Sequence, residues 1–263
     1  APYSLTKLMT GIWVTQNRSL DDKVTISAAA AKFSNQEKGI ELKEGEILTV
    51  DQLHHAMLIM SDNGAAYALG EAVSGSMDEF IKLMNETSKN IGCKDTLFAT
   101  PNGLIDDVSA EHTTASDFLE IAKVAFANKT ISKVSGTKTY RIPKTEMSAV
   151  RFLENSNKLL SGIKSGYVSG KLGYISENST SITMVYKQNG MELIMVSLGV
   201  GKNTRYTICE KMVDYAKTKI KGIEVVPKGK VLGKARVKHG VKTRVEVESA
   251  SSAMAYLPAQ GSK

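Results

Sequence analysis

An Asn-Gly pair between two apolar runs is the feature that most constrains the fold of this 263-residue chain. The runs are Ser-Ile-Thr-Met-Val-Tyr at 181–186 and Met-Glu-Leu-Ile-Met-Val at 191–196, and the pair is Asn189-Gly190. Asn-Gly is a strong hairpin signal because both residues tolerate the positive φ angles of a two-residue turn. The chain is therefore predicted to contain antiparallel β-structure.

Most of the chain before this hairpin has helical rather than strand periodicity. Apolar residues recur at helical spacing from Leu5 to Trp13. Capping sequences precede further apolar helices at Thr49, Ser76 and Thr114. A last amphipathic helix is predicted from about residue 204 to 221. The predicted fold class is α+β, an antiparallel sheet flanked by helices in an α/β sandwich, with a helical cluster beside it.

The end of the chain has a different composition. Pro227 and Gly229 mark a boundary, and valines then alternate as in β-strands. Residues 225–245 hold seven Lys or Arg and no acidic residue. We therefore predict a main domain at 1–222 and a small, partial β domain at 223–263. A solvated strand face and a site for an anionic polymer both explain the basic charge.

The composition narrows the class of protein. With 42% hydrophobic and 23% charged residues, the chain has a globular composition, and no segment is apolar and long enough to span a bilayer. The net charge of +7 suits a membrane surface or an anionic cell wall. Sparse aromatic residues and the lack of a recognised motif argue against nucleic acid. Cys93 and Cys209 match no metal or redox spacing, so we predict buried free thiols, with a disulfide as the alternative, and no metal or cofactor.

A candidate nucleophile lies at the start of the first helix. Ser4 and Lys7 are three residues apart, so on a helix the hydroxyl and the amine share a face. A lysine can deprotonate a serine when burial or a second cation lowers its pKa, and a helix N-terminus favours the developing negative charge. The same Ser-x-x-Lys spacing recurs elsewhere, at Ser135/Lys138 and Ser161/Lys164.

Two further segments carry the groups that acyl transfer needs. Ser61-Asp62-Asn63 offers a second hydroxyl and an amide, although Ser-x-Asn also begins at Ser88 and Ser176. Lys164-Ser165-Gly166, the only Lys-Ser/Thr-Gly in the sequence, offers a cation, a hydroxyl and room for a ligand at the start of the strands.

In this order the three motifs resemble the penicillin-recognising serine enzymes, with their Ser-x-x-Lys, Ser-x-Asn and Lys-Thr/Ser-Gly motifs. The surrounding sequences are similar to those of low-molecular-mass penicillin-binding proteins that are D-alanyl-D-alanine carboxypeptidases, at 4–10, 60–66, 98–104, 112–115 and 162–167. The resemblance runs from residue 1 to about 222. It implies a β-lactamase/transpeptidase-like fold and an extracytoplasmic location at the bacterial cell envelope.

The resemblance also implies catalytic roles. Ser4 would attack the carbonyl between the two terminal D-alanines of a peptidoglycan stem peptide, with Lys7 as base. Ser61 would pass the proton to the departing D-alanine, and Asn63 would bind the substrate amide. Lys164 would supply the positive charge that lowers the pKa of the base lysine.

The same scheme also assigns residues to substrate binding. The backbone N–H groups of Ser4 and Tyr167 would form the oxyanion hole, Ser165 would bind the substrate carboxylate beside Gly166, and Arg205 would orient that carboxylate. Penicillins would acylate Ser4 as substrate mimics, and no cofactor is implied.

Three departures keep other functions open. Relatives usually carry two strands before the nucleophile helix, which this sequence does not include, and the C-terminal amphipathic anchor is also absent from it. The second motif reads Ser-Asp-Asn, as in class A β-lactamases, yet Glu154 fits a structural loop better than a catalytic base. The alternatives are a β-lactamase and a penicillin-binding or cell-wall-sensing protein that acylates without turnover.

Overall fold

The computed structural model describes residues 1–36, 39–104, 110–161, 165–188, 190–238 and 240–258. Helices occupy most of the first two thirds of the described chain, and strands dominate from residue 167 onward. The helices, in chain order, are α1 (Lys7–Asn17), α2 (Ala28–Ser34), α3 (Val50–His55), α4 (Asn63–Ser74), α5 (Met77–Ile91), α6 (Ala115–Ala127), α7 (Lys129–Gly136), α8 (Lys158–Ser161) and α9 (Arg205–Lys219).

Side-chain caps start several of these helices, as predicted. Thr49 and Gln52 form a reciprocal capping box at α3. Ser76 accepts from the backbone N–H of Glu79 at α5, and Thr114 accepts from that of Asp117 at α6. Each cap satisfies an N–H group that the first helical turn leaves unpaired.

The strands form short antiparallel sheets. They are β1 (Lys23–Thr25), β2 (Ile47–Thr49), β3 (Thr139–Ile142), β4 (Arg151–Glu154), β5 (Tyr167–Ser176), β6 (Ser179–Gln188), β7 (Met191–Val200), β8 (Ile220–Val226), β9 (Val231–Arg236), β10 (Arg244–Glu248) and β11 (Ala253–Pro258). Strands β5, β6 and β7 pair in that order, so β5 is an edge strand within the described residues. Gln188 pairs with Met191 across the turn, which confirms the predicted hairpin.

Two apolar clusters hold the helices and the main sheet together. The larger one is built around α1, whose Leu8, Met9 and Ile12 are buried. The smaller one lies between the sheet and α9, where Ile182 and Met184 pack with Val213. The mixed helix-and-sheet architecture confirms the predicted α+β class. Cys93 and Cys209 are free and buried.

The last four strands form two separate hairpin-like pairs, β8 with β11 and β9 with β10. Every residue of β9 and β10 is exposed. This part of the chain therefore adds little to the buried core, and the catalytic candidates all lie before it.

Candidate active site

The nucleophile candidate lies in a 3₁₀ turn, Tyr3–Thr6, that runs directly into α1. Lys7, the first residue of α1, is fully buried. Its Nζ lies 2.9 Å from Ser4 Oγ, 2.8 Å from Asn63 Oδ1 and 2.7 Å from the carbonyl oxygen of Asn102. The last two oxygens only accept hydrogen bonds, so a neutral amine can donate to both and still accept the Ser4 proton. This geometry suits a lysine base.

The second motif follows a tightly held bend. Helix α3 continues as a π-helical turn, Ala56–Met60, and Ser61 then adopts a left-handed conformation with φ 65°. The buried Asp62 carboxylate accepts from the backbone N–H groups of Ala65 and Ile40 and from Ser34 Oγ, at 2.6, 2.7 and 2.7 Å. These bonds cap α4 and fix the bend that presents Ser61 and Asn63 to Lys7.

A second buried lysine reaches Ser61 from strand β5. The Nζ of Lys171 lies 2.8 Å from Ser61 Oγ and 3.0 Å from the carbonyl oxygen of Leu172. Burial and the nearby Lys7 amine lower the pKa of Lys171 well below its usual value. Because two buried ammonium groups this close repel each other, the pair favours a single positive charge at most.

Two of the residues predicted to bind substrate around the third motif lie away from Ser4, and the role of its lysine stays a prediction. Lys164 lies outside the described residues. Ser165 and Tyr167 do not reach the cleft at Ser4; they line a separate pocket with Tyr186 and Gln188. Tyr167 is four residues from Lys171 on the same strand, about 13 Å at 3.3 Å per residue. A Cβ at Gly166 would meet the Tyr186 ring at 2.3 Å, so this glycine serves local packing.

The residues in the place expected of the third motif are Lys171-Leu172-Gly173. They do not match the Lys-Ser/Thr-Gly pattern because Leu172 carries no hydroxyl. The sequence signal for these residues is a lysine that lies inside an apolar strand and two residues before a glycine. In the structure this lysine pairs with Thr183. A Cβ at Gly173 would lie 3.0 Å from the Pro2 carbonyl oxygen and 3.2 Å from Tyr3 Cβ. Glycine therefore lets β5 approach the turn that carries Ser4.

A cleft of about 650 Å³ opens beside Ser4, Ser61 and Asn63. Arg205 lines it near Leu172 and is 8% exposed. Its guanidinium lies 4.8 Å from the Tyr206 ring centroid, and among the described residues no hydrogen-bond partner meets its Nε. A buried guanidinium facing a cleft suits a carboxylate ligand. The other lining residues are Phe33, Ser34, Gly39, Met60, Asp62, Ser156, Tyr174 and Lys202.

In the described part of the chain, no group of three or more His, Cys, Asp or Glu side chains could hold a metal ion. None of the helices described is both long and apolar enough to cross a membrane.

The site pairs one serine with a buried lysine and a second serine with another, an arrangement that suits acyl transfer with lysine in the place of histidine. The chain belongs to the S11 peptidase family, D-alanyl-D-alanine carboxypeptidase, whose family model matches residues 1–202.

Curated relatives agree with this family. The chain is 30% identical to D-alanyl-D-alanine carboxypeptidase DacF of Bacillus subtilis over 257 residues, which cover 94% of this chain and 64% of the relative. It is 28% identical to DacC of Escherichia coli, over 98% of this chain and 65% of the relative. The chain thus spans about two thirds of the length of these relatives.

Solved structures share the fold. Penicillin-binding protein 5 of Haemophilus influenzae matches with a TM-score of 0.76 and 25% identity, over 99% of this chain and 76% of that one. A mutant of the Streptomyces K15 DD-transpeptidase matches with a TM-score of 0.74 and 29% identity, over 82% of this chain and 87% of that one.

Proposed function

We propose that this chain carries the catalytic site of a serine-type D-alanyl-D-alanine carboxypeptidase that removes the terminal D-alanine from peptidoglycan stem peptides. The observation that supports this most directly is the buried Lys7 amine, which lies within hydrogen-bond distance of both Ser4 and Asn63. Membership of the carboxypeptidase family and the activities named for the relatives support the substrate class.

Acylation follows from the hydrogen bonds of the site. Lys7 takes the Ser4 proton as Oγ attacks the carbonyl carbon of the penultimate D-alanine. Asn63 accepts from Lys7 through Oδ1, and its amide NH₂ group donates to the substrate. The oxyanion is stabilised by the backbone N–H of Ser4 and by that of Tyr174, the residue that follows Gly173.

The second serine–lysine pair handles the leaving group. Ser61 Oγ donates a proton to the nitrogen of the departing D-alanine and is resupplied by Lys171, whose Nζ is hydrogen-bonded to it. Arg205 binds the terminal carboxylate, because Leu172 offers no hydroxyl for it. Water then hydrolyses the acyl group on Ser4, and penicillins acylate the same hydroxyl.

The test combines acylation and product release. Intact-mass spectrometry should show one labelled-penicillin adduct on the wild-type chain and none on Ser4→Ala. Release of D-alanine from diacetyl-Lys-D-Ala-D-Ala should disappear in the same variant. Ser165→Ala is the matched control, because Ser165 lines a different pocket, and it should retain both activities. Full activity in Ser4→Ala would contradict the proposal that Ser4 is the nucleophile.

Leu172 favours a second candidate function, a penicillin-binding protein that acylates without rapid turnover. The missing hydroxyl weakens binding of the terminal carboxylate while a peptide acylates Ser4, so release of D-alanine is slow. Penicillin labelling of Ser4 without D-alanine release would select this function. Rapid release of hydrolysed penicillin would instead select a β-lactamase. Glu154, the one residue considered as a deacylating base, is exposed on β4.

We also propose that the chain works outside the cytoplasm, against an anionic membrane surface or cell wall. The support is the basic segment 225–245, which includes the exposed strand β9 and the start of the exposed strand β10. Sedimentation with anionic vesicles or with purified cell-wall sacculi should fall as salt rises. Sedimentation with neither material would contradict the proposal.

A further inference from the structure

Glu111 is a fully buried carboxyl group to which the proposed mechanism assigns no part. It precedes His112, which forms an isolated antiparallel bridge with Leu97. Glu111 Oε1 accepts from Thr6 Oγ1 at 3.0 Å, and Thr6 is also fully buried. Among the described residues, Oε2 has no hydrogen-bond partner. A buried acid with an unsatisfied oxygen is costly to keep, which is a reason to seek its role.

The hydrogen bond places this acid against the catalytic turn. Thr6 lies between Ser4 and Lys7 in sequence, so Glu111 lies behind the residues that carry the nucleophile and its base. Lys7 attracts the carboxylate electrostatically, and the α-amino group of Ala1 does so more weakly. Lys171 faces Lys7 from β5. The charged groups acting on Lys7 therefore include one acid, Glu111, and one amine, Lys171.

Glu111 changes charge in the range where the proposed enzyme would work. Burial raises the pKa of its carboxyl to about 7, against the opposing effects of the Thr6 hydrogen bond, the nearby Ala99 backbone N–H and the Lys7 charge. Below this range the acid is neutral, and above it the acid is ionised. A negative charge beside Lys7 stabilises the ammonium form of that lysine.

We propose that Glu111 is a positioning residue of the reaction, whose carboxylate, held on Thr6 beside Lys7, sets the charge that Lys7 carries. The inference rests on the proposed function, in which Lys7 must be neutral to take the Ser4 proton. The carboxylate has two effects on that step. It makes Lys7 a stronger base, and it keeps Lys7 protonated up to a higher pH.

The first test is the pH profile of acylation in Glu111→Gln. Glutamine has nearly the same shape and keeps an oxygen that can accept from Thr6, but it removes the charge. The rate of Ser4 acylation by fluorescent penicillin, measured from pH 5 to 10, should rise at a pH lower by about one unit than in the wild type. Its plateau should also be lower, because the lysine is a weaker base.

Glu120→Gln is the matched control, since Glu120 is paired with Lys123 on the surface of α6. It should reproduce the wild-type profile. A folded Glu111→Gln protein whose rate rises at the same pH as the wild type, at any plateau, would overturn the inference, because a purely structural role changes the rate without shifting its pH dependence.

The second test does not depend on catalysis. The carboxyl carbon of Glu111 can be titrated by ¹³C NMR in the wild-type chain and in Lys7→Met. Removing the amine should move the Glu111 titration to higher pH, because the ammonium no longer favours the carboxylate. An unchanged titration refutes the coupling, whereas a wild-type chain that no penicillin labels refutes the proposed function instead.

Discussion

At the scale of single residues, the rate of acylation depends on which lysine is hydrogen-bonded to Ser61. Lys171 is buried on β5 with its Nζ on Ser61 Oγ. We expect Lys171→Met to slow acylation of Ser4 at least about a hundredfold, because a thioether neither donates to Ser61 nor repels a proton from Lys7. Stopped-flow labelling with fluorescent penicillin measures this rate.

Lys164→Met is the matched control for that experiment. It removes the lysine of the motif predicted from the sequence, and it should change the acylation rate by less than about threefold. The reverse pattern, a large loss in Lys164→Met and a small one in Lys171→Met, would restore Lys164 to the catalytic role.

Leu172 gives a second prediction at this scale. Leu172→Thr places a hydroxyl next to Arg205 on the cleft wall. One added hydrogen bond to a carboxylate contributes about 1 to 2 kcal/mol, so kcat/KM for the D-Ala-D-Ala peptide should rise about tenfold. The same peptide with its C-terminal carboxylate amidated is the control. An equal gain on the amidated peptide would show that the hydroxyl acts elsewhere.

At the scale of elements, the bend between α3 and α4 depends on one carboxylate. Asp62 caps α4 and also holds Ser34 and Ile40. Asp62→Ala leaves these three buried donors without their acceptor, so we expect a loss of about 3 kcal/mol in the free energy of unfolding. Urea unfolding followed by circular dichroism measures it.

Asp78→Ala is the control for this loss, because Asp78 is exposed in the first turn of α5. Its effect should stay below about 1 kcal/mol. Equal losses in the two variants would mean that the hydrogen bonds of Asp62 stabilise the fold no more than an acidic residue in the first turn of a helix does.

The sequence predicted those elements whose signals are local. Thr49 and Gln52 are three residues apart, and the hairpin signal spans only the turn and its flanking strands, so chain neighbours alone determine them. Strands β3 and β4 escaped prediction because each is four residues long and is held by its partner, as in the pairing of Tyr140 with Leu153.

The same distinction applies to the site. Ser4 with Lys7, and Ser61 with Asn63, are recognisable because each pair lies within one turn of the chain. Lys171 joins them through a hydrogen bond across 110 residues, and its neighbour Leu172 does not match the usual motif. Only the pairing of β5 with β6 and the close approach at Gly173 bring that lysine to Ser61.

At the scale of the whole molecule, Glu111 makes stability depend on pH. Its pKa rises from 4.5 in the unfolded reference to about 7 in the folded chain, so its contribution to stability is present below pH 4.5 and is lost as the pH rises through about 7. The loss amounts to about 3 kcal/mol. Glu111→Gln should therefore gain stability over the wild type by up to that amount at pH 8, and show no such gain at pH 4.

Urea unfolding of both proteins at the two pH values measures this gain. Using their difference at each pH removes the contribution of other titrating groups. A difference that does not change between pH 4 and pH 8 would contradict a buried carboxyl with a raised pKa.

The two strand pairs after α9 lead to a prediction about cooperativity. Strands β8 to β11 bury few side chains, and isolated two-stranded pairs are marginally stable in water. Hydrogen exchange should therefore be faster for residues 220–258 than for the helices around Leu8 and Met9. Equal protection of the two regions would place them in a single cooperative unit.

The hydrogen bonds of Lys7 and Lys171 also determine at which stage of folding Ser4 becomes reactive. Lys7 meets groups 56 and 95 residues away, and Lys171 meets Ser61 across 110 residues. A half-folded chain already possesses the Ser4 hydroxyl but lacks the surroundings that make Lys7 a base. Under the proposed function, a pulse of labelled penicillin during refolding would label only those molecules whose long-range contacts are complete. The labelled fraction would therefore report how many molecules have finished folding at that time.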